Sequence, residues 1–330
     1  MRFHLRADEG ARMKLRRRYT RALVTGGAGF IGSHLVEELL KEGLEVVSVD
    51  SYVAGKKENL AHVREHKGLR EVECDVVDSR GLERCFEGVD IVFHEAASKM
   101  TVCLRDPPQD LDVNARGALN VLELARKHGV KKVVHASTGS VYGEAQYYPT
   151  DEEHPVNPTS YYGVSKLAGE KYARVFSHLY GMDVSILRYF HVFGPRQESS
   201  DVGGVVSIFA RRALHDQPLR IYGDGTQLRT FTFVKDLVEI NKTVAMQGGR
   251  GEAYNCASDA RVTILELAEG VLDHYGKRDL EIEFHEWRPG DIRKFDVSNA
   301  KIKSLGYEFQ TKFPDGLAKT LEWSRAYFSR

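Results

Sequence analysis

The sequence is poor in the features that mark metal-binding, disulfide-bonded and membrane-spanning proteins. Its 330 residues include only four cysteines, and these lack the paired spacing of a metal site or a disulfide framework. No apolar run approaches the roughly 18 residues that a transmembrane helix needs, and the first residues lack the apolar core of a signal peptide. We therefore expect a globular, cytoplasmic protein that uses no metal.

Net charge is also lacking, since 47 basic residues balance 47 acidic ones. The distribution is uneven, because residues 1–21 hold eight basic and two acidic residues. This cluster is short and has no aromatic residues between its arginines. We interpret residues 1–20 as a frayed, solvated basic extension rather than a contact to nucleic acid or membrane. The hydrophobic content of 42% supports a full core.

Glycines follow the first apolar strand, in the stretch Arg21–Gly32. Gly26, Gly29 and Gly32 open an amphipathic helix, and a glycine-rich turn before a helix N-terminus is a binding site for a pyrophosphate. The next strand ends at Asp50, eighteen residues after Gly32. A carboxylate at this place accepts hydrogen bonds from an adenosine ribose and repels a 2′-phosphate. The pattern predicts a dinucleotide site that prefers NAD to NADP.

A tyrosine and a lysine are four residues apart at the start of a predicted helix. Tyr162 and Lys166 therefore share one helical face, where the ammonium can lower the pKa of the phenol. Lys166 is five residues from Tyr161, so Tyr161 is a poorer partner. Thr138 ends a predicted strand, at the sheet edge where ligands bind in parallel sheets. Together with the dinucleotide motif, the arrangement indicates a proton-transfer site at Tyr162.

These motifs resemble those of the extended short-chain dehydrogenase/reductases, the family of nucleotide-sugar epimerases and dehydratases. The likeness runs through motifs from Leu23 to about Tyr327. It implies an α/β fold with a doubly wound parallel sheet and a smaller, interleaved substrate domain. It also implies that Thr138, Tyr162 and Lys166 are the family's catalytic triad. In that triad Tyr162 is the catalytic base, Thr138 binds the reacting substrate oxygen and Lys166 holds the nicotinamide ribose. The cofactor-binding residues that the motifs and the resemblance indicate are Gly26, Gly29, Phe30, Ile31, Gly32, Asp50, Asp75, Val76, Ala96, Ala97 and Lys166.

The resemblance also implies that the substrate is a nucleoside-diphosphate sugar, most simply a UDP-sugar. Two positions depart from the family pattern: His191 stands where relatives usually have asparagine, and Thr230 replaces an aspartate. Phe295 could fill the space of an N-acetyl group and so favour a plain hexose or a uronic acid. The substrate-binding residues that the resemblance implies are Lys99, Asn114, Thr138, His191, Arg229, Arg288 and Asp291.

The predicted domains interleave. Residues 21–188 form the NAD domain, to which residues 229–258 return, whereas residues 189–228 and 259–330 form the substrate domain. The helices predicted over Pro108–His128 and Tyr161–Tyr180 carry apolar stripes that could pair two subunits, as in relatives, or could equally face the core. We expect a homodimer.

The predicted reaction depends on the residues beside Thr138. Family dehydratases and decarboxylases carry a carboxylate there, but this chain has Gly139 and Ser140. Without an acid and a base for elimination, a 4-keto sugar can only turn over and be reduced on its other face. We therefore predict an NAD-dependent UDP-sugar 4-epimerase. A dehydratase or decarboxylase remains an alternative if Glu144 or a cysteine supplies the acid, and a non-catalytic NAD-sensing protein is a further alternative.

Overall fold

A seven-stranded parallel sheet forms the centre of the computed structural model, which describes residues 15–98, 100–200, 203–287 and 292–329. The strand order β11-β6-β5-β4-β1-β2-β3 reverses between β1 and β4, so the loops at their carboxyl ends leave a crevice. The sheet strands are β1 (Arg21–Thr25), β2 (Glu45–Asp50), β3 (Leu69–Glu73), β4 (Ile91–His94), β5 (Lys132–Thr138), β6 (Val184–Tyr189) and β11 (Ala253–Cys256).

Helices cover both faces of this sheet and also build the smaller lobe. Apolar side chains of the buried strands point to both faces, as expected for central parallel strands. The helices are α1 (Phe30–Lys41), α2 (Ser79–Glu83), α3 (Met100–Cys103), α4 (Pro107–Leu111), α5 (Gly117–Lys127), α6 (Tyr161–Tyr180), α7 (Val205–Leu214), α8 (Val234–Gln247), α9 (Ile264–Tyr275), α10 (Ala300–Ser304) and α11 (Phe313–Phe328).

Short strand pairs outside the central sheet belong to the smaller lobe. Helices α7, α9 and α11 pack there around a second apolar core, while α8 packs on α1 and β11 pairs with β6. The chain thus leaves the central sheet after β6 and rejoins it at β11. The pairs are β7 (Val192–Phe193) with β10 (Thr232–Phe233), β8 (Leu219–Tyr222) with β13 (Ile282–His285), and β9 (Leu228–Thr230) with β12 (Arg261–Thr263).

Residues 15–19 are folded, which corrects part of the predicted extension. Leu15 and Tyr19 are fully buried in the core, and the Tyr19 hydroxyl donates to the Ala245 carbonyl at 2.9 Å. The prediction of a frayed, solvated segment is wrong here, because two apolar side chains four residues apart pack into the core beside α8. Residues 1–14 lie outside the described residues.

The long helix predicted up to His128 is interrupted by one π-helical turn. Helix α4 leads into this turn at Asp112–Arg116, and α5 continues the same helical path. The Asp106 side chain caps the start by accepting from Gln109 N, and Gly129, with φ of +67°, follows the end. The extra residue of the π turn places Asn114 inside the protein. Among the helices that the structure describes, none is long and apolar enough to cross a membrane.

Candidate active site

The glycine loop lies at the carboxyl end of β1 and leaves no room for side chains. Gly26 has φ of +67°, and a Cβ there would lie 2.8 Å from the backbone nitrogen of Ala96. A Cβ on Gly32 would overlap the carbonyl of Gly26. Within the described chain, no side chain caps α1 at Gly29. The N–H groups of the first turn can therefore bind a pyrophosphate, and the loop fits a dinucleotide.

Phe30 and Ile31, which follow in the first turn of α1, are half-buried and pack against the core of the smaller lobe. They thereby join the glycine loop to the substrate lobe. Ala96 and Ala97 follow β4 on the other side of the loop, and Ala96 N donates to Thr25 Oγ1 at 3.2 Å. Small residues on both sides of β1 leave the crevice open for a ligand.

Asp50 ends β2, as predicted, and its carboxylate is already bound to backbone. Ala28 N donates to Oδ2 at 2.9 Å and Tyr52 N donates to Oδ1 at 2.8 Å. Burial raises the pKa of Asp50 above its ordinary value, although these backbone hydrogen bonds act in the opposite direction. A Cβ on Gly55 would lie 2.5 Å from the carboxylate, so the loop after β2 closes tightly over it. Asp50 therefore ties the glycine loop to the loop after β2.

Asp75 and Val76 follow β3 and differ in their surroundings. The Asp75 carboxylate accepts from Val77 N at 2.9 Å, which forms a local turn. Val76 is buried in the core, and its carbonyl accepts from Asn120 Nδ2 at 2.9 Å. Of these two residues, only Asp75 therefore keeps a partly exposed polar side chain at the end of β3.

Thr138 and Tyr162 meet at the carboxyl edge of the sheet. Thr138 ends β5, and its hydroxyl forms a hydrogen bond with the Tyr162 phenol in the first turn of α6. The Ser160 hydroxyl caps this helix by accepting from Gly163 N at 3.1 Å. The cap fixes the first turn of α6, which carries Tyr162, at the end of β5.

The pKa of Tyr162 differs from the sequence-based expectation. Burial raises it to about 12, while the hydrogen bond from Thr138 lowers it. The prediction that Lys166 lowers this pKa is wrong for this arrangement, because burial of the phenol has the largest effect and Lys166 is not among the groups that act on it. Burial lowers the pKa of Lys166 to about 8, against the opposing effects of Glu95, Glu170 and Asp110. The Lys166 ammonium thus interacts electrostatically with three acidic side chains.

The substrate-side residues gather around Phe295. The Arg229 guanidinium lies 5.3 Å from the centre of the Phe295 ring, and the His191 ring lies 4.8 Å from it, edge to face. Burial lowers the pKa of His191 to about 3, so its imidazole is neutral. The Thr230 hydroxyl donates to the Phe295 carbonyl at 2.8 Å. Both departures from the family pattern thus surround one aromatic ring.

The backbone explains why a histidine can replace asparagine here. His191 has φ of +37°, close to the left-handed region in which asparagine, aspartate and histidine are enriched. The two side chains therefore suit the same turn. Lys99, Arg288 and Asp291, which complete the predicted substrate site, lie outside the described residues.

Asn114 is enclosed by protein groups. Its Nδ2 donates to Asp110 Oδ1 and to Ser165 Oγ, both at 3.0 Å, and its Oδ1 accepts from Ser98 N at 2.9 Å. Both amide hydrogens are used. The structure favours a positioning role for this side chain over the substrate contact that the resemblance implies.

Asp110 and Glu95 are acidic residues near Lys166 that the sequence motifs do not reveal. Asp110 is four residues before Asn114, so a polar pair on one face of a mostly apolar helix is the available signal. Glu95 lies within the motif after β4, and its carboxyl accepts from the Tyr189 hydroxyl at 2.8 Å. A single acidic residue after a strand carries no comparable signal.

The crevice at the switch point, together with Tyr162 and the buried Lys166, places the chain among the dinucleotide-dependent α/β enzymes. The family model for the NAD-dependent epimerase/dehydratase family matches residues 22–257. The chain belongs to this family.

The most similar relatives include epimerases and dehydratases. A UDP-glucose 4-epimerase from Mycolicibacterium smegmatis is 39% identical, over 92% of this chain and 98% of that protein. The structure of a Thermotoga maritima UDP-glucose 4-epimerase with UDP-glucose superposes with a TM-score of 0.89 at 36% identity, over 94% of this chain and all of that one. The structure of a Streptomyces venezuelae dTDP-glucose 4,6-dehydratase variant with NAD bound superposes with a TM-score of 0.88 at 34% identity, over 93% of this chain and 97% of that one.

These matches confirm the predicted fold class and family, NAD as the cofactor, and an NAD-dependent nucleotide-sugar epimerase as the enzyme class. The alternative of a non-catalytic NAD-sensing protein is not supported. A dehydratase superposes nearly as well as the epimerase, so both reactions are carried out on this fold.

Proposed function

We propose that this enzyme is a UDP-sugar 4-epimerase that works through a transient 4-keto sugar. The observation that carries the proposal is the contact between Gly139 and Phe190. A Cβ on Gly139 would overlap the Phe190 ring, which is itself buried and stacked on Tyr142. A dehydratase carboxylate therefore cannot be accommodated beside Thr138 without displacing this ring.

The two alternative sources of an acid are less well supported. Glu144 is exposed to solvent beyond Gly143. Cys103 is buried close to Tyr162, and burial raises the pKa of its thiol, so it remains protonated. Neither group supplies the paired acid and base that an elimination needs.

We assign the proton transfer to Tyr162. Its phenolate would take the proton of the C4 hydroxyl and return it to the C4 oxygen after the keto sugar has turned and presents its opposite face for reduction. The Thr138 hydroxyl would hold the same substrate oxygen, and Lys166 would hold the nicotinamide ribose. Bound NAD would accept the hydride from C4 and give it back, and its cationic nicotinamide would favour the phenolate.

The remaining chain residues bind and orient the two ligands. The backbone of Gly26, Gly29 and Gly32 would cradle the pyrophosphate, and Asp50 would exclude a 2′-phosphate. On the substrate side, Arg229 would read the diphosphate with two parallel hydrogen bonds. On the family resemblance, Arg288 would bind the diphosphate and Asp291 the nucleotide ribose. Lys99 would contact the sugar. His191 and Phe295 would contact the sugar.

The same proposal includes a homodimer in the cytoplasm and the two interleaved domains. Helix α6 supports the dimer, because it exposes an apolar stripe that a second copy can cover. This apolar stripe of α6 consists of Tyr161, Val164, Tyr172, Val175 and Leu179. The location in the cytoplasm is supported by the four cysteines, which are free, as suits a reducing compartment. Sedimentation should give a dimer at micromolar concentration, and Val175→Glu should give a monomer. A monomeric wild type would refute this part.

The reaction is tested by incubation in deuterated water with UDP-glucose, UDP-glucuronic acid, UDP-N-acetylglucosamine and dTDP-glucose. Mass spectrometry and NMR then identify the product. We expect an isomer of unchanged mass, inverted at C4, with no solvent deuterium on carbon. Loss of water or of carbon dioxide would refute the proposal in favour of a dehydratase or decarboxylase.

A further inference from the structure

Asp110 is a carboxylate in the protein interior with hydrogen-bond partners that are all neutral. The residue is 1% exposed, near the end of α4. Its Oδ2 accepts from Ser165 Oγ at 2.6 Å, and its Oδ1 accepts from Asn114 Nδ2 at 3.0 Å. No cation of the described chain lies within ion-pair distance of it. A buried charge that no direct ion pair offsets is costly to keep, so its presence calls for a role.

The partners of Asp110 join the two halves of the active site. Ser165 directly precedes Lys166, and its hydroxyl also lies 3.1 Å from the Tyr162 carbonyl. Asn114 continues the network to Ser98 N, in the loop that follows Ala96 and Ala97. One carboxylate thereby ties the first turn of α6 to the loop after β4.

The charge of Asp110 also acts on the proton-transfer groups. Among the described residues, the titratable groups that respond to it are Tyr162 and Lys166 on α6 and Cys103 on α3. For each of them the negative charge raises the pKa, because it disfavours phenolate and thiolate and favours ammonium. Removal of the charge should therefore lower the pKa of Tyr162 and of Lys166.

We propose that Asp110 is a positioning residue of the reaction, which fixes Tyr162 and Lys166 through Ser165 and Asn114 and tunes their proton transfer by its buried charge. The inference rests on the proposed function of Tyr162 as the base. It adds a residue that contacts neither ligand and acts through its neighbours.

Substitution by asparagine separates charge from geometry. In Asp110→Asn the new Oδ1 can accept from Asn114, and the new amide can donate to Ser165, whose hydroxyl then donates to the Tyr162 carbonyl. The network survives without the charge. Asp110→Ala removes both the network and the charge. Asp112→Asn is the matched control, because Asp112 is two residues away and pairs with Arg116 at the surface.

The first measurement does not depend on activity. Lysine labelled with ¹³C at Cε is followed by NMR as a function of pH in the NAD-loaded protein, with Lys166→Arg assigning the signal. We expect Lys166 to titrate at lower pH in Asp110→Asn than in the wild type, and Asp112→Asn to match the wild type. An unchanged Lys166 titration in Asp110→Asn would overturn the proposed effect of the charge, whatever the substrate is.

The second measurement is the pH profile of kcat/KM for the sugar that the wild type turns over. The acidic limb, which reports the base, should move to lower pH in Asp110→Asn. In Asp110→Ala, kcat should fall at least tenfold below that of Asp110→Asn while bound NAD is retained. Equal kcat values for the two variants would overturn the positioning role. An inactive wild type would contradict the proposed function instead, and the NMR titration would still test the charge.

Discussion

Replacing Glu95 by glutamine should make the protein more stable above neutral pH. Glu95 follows β4, where burial raises its pKa from 4.5 to about 7, while the Tyr189 hydroxyl and the Lys166 charge oppose the rise. A folded-state pKa above the unfolded value means that the protonated form stabilises the fold. This contribution is complete below pH 4.5 and is lost as pH rises to 7.

The size of the effect follows from the same two pKa values. Their difference corresponds to about 3 kcal/mol of unfolding free energy that the wild type loses between pH 4.5 and 7. Glutamine does not titrate, and its Oε1 can still accept the hydrogen bond from Tyr189. The variant should therefore gain up to about 3 kcal/mol relative to the wild type over this pH range. Other buried carboxyl groups titrate alike in both proteins and cancel in the comparison.

Urea denaturation at pH 5 and pH 8 measures this difference. Both proteins are compared without added nucleotide and again with saturating NAD, because a bound ligand adds to stability. Glu65→Gln, which changes an exposed glutamate, is the control and should follow the wild type at both pH values. If the unfolding free energies of the Glu95→Gln variant and the wild type change in parallel with pH, the raised pKa of the Glu95 carboxyl is refuted.

Further predictions concern catalysis, the core and specificity. Tyr162→Phe should lower kcat by at least about 100-fold while NAD is still released on denaturation; undiminished turnover would remove Tyr162 from the mechanism. Glu170→Gln should cost about 3 kcal/mol in urea unfolding, since it breaks the buried pair with Arg188 at 2.8 Å; Glu123→Gln, in an exposed pair, should cost less than about 1 kcal/mol. Phe295→Ala should raise kcat/KM for UDP-N-acetylglucosamine relative to UDP-glucose by at least about tenfold, and a wild-type preference for the N-acetyl sugar would contradict the steric role of the ring.

Local patterns in the sequence determined much of the NAD side. Strand β1, the glycines after it and the periodicity of α1 all lie within about twenty residues, so short-range spacing is enough to predict them. Asp50 could be placed for the same reason, because the end of β2 follows from a short apolar run. The face shared by Tyr162 and Lys166 needs only the helical period.

The environment of those side chains could not be predicted in this way. Lys166 interacts with Glu95, Glu170 and Asp110, which come from the loop after β4, from α6 and from α4, and burial of the phenol rather than the lysine charge raises the pKa of Tyr162. Leu15 and Tyr19 likewise look like part of a basic tail until the core that they cover is known.

The sequence by itself thus determined the order of the elements, the glycine loop and the spacing of the proton-transfer pair, because each depends on neighbours within one or two turns. Tertiary structure alone decided which groups share the low-dielectric interior. The Phe190 ring over Gly139 and the Asp110 carboxylate on Ser165 join segments about fifty residues apart. Such contacts depend on how the elements pack, and both desolvation and charge coupling depend on those distances.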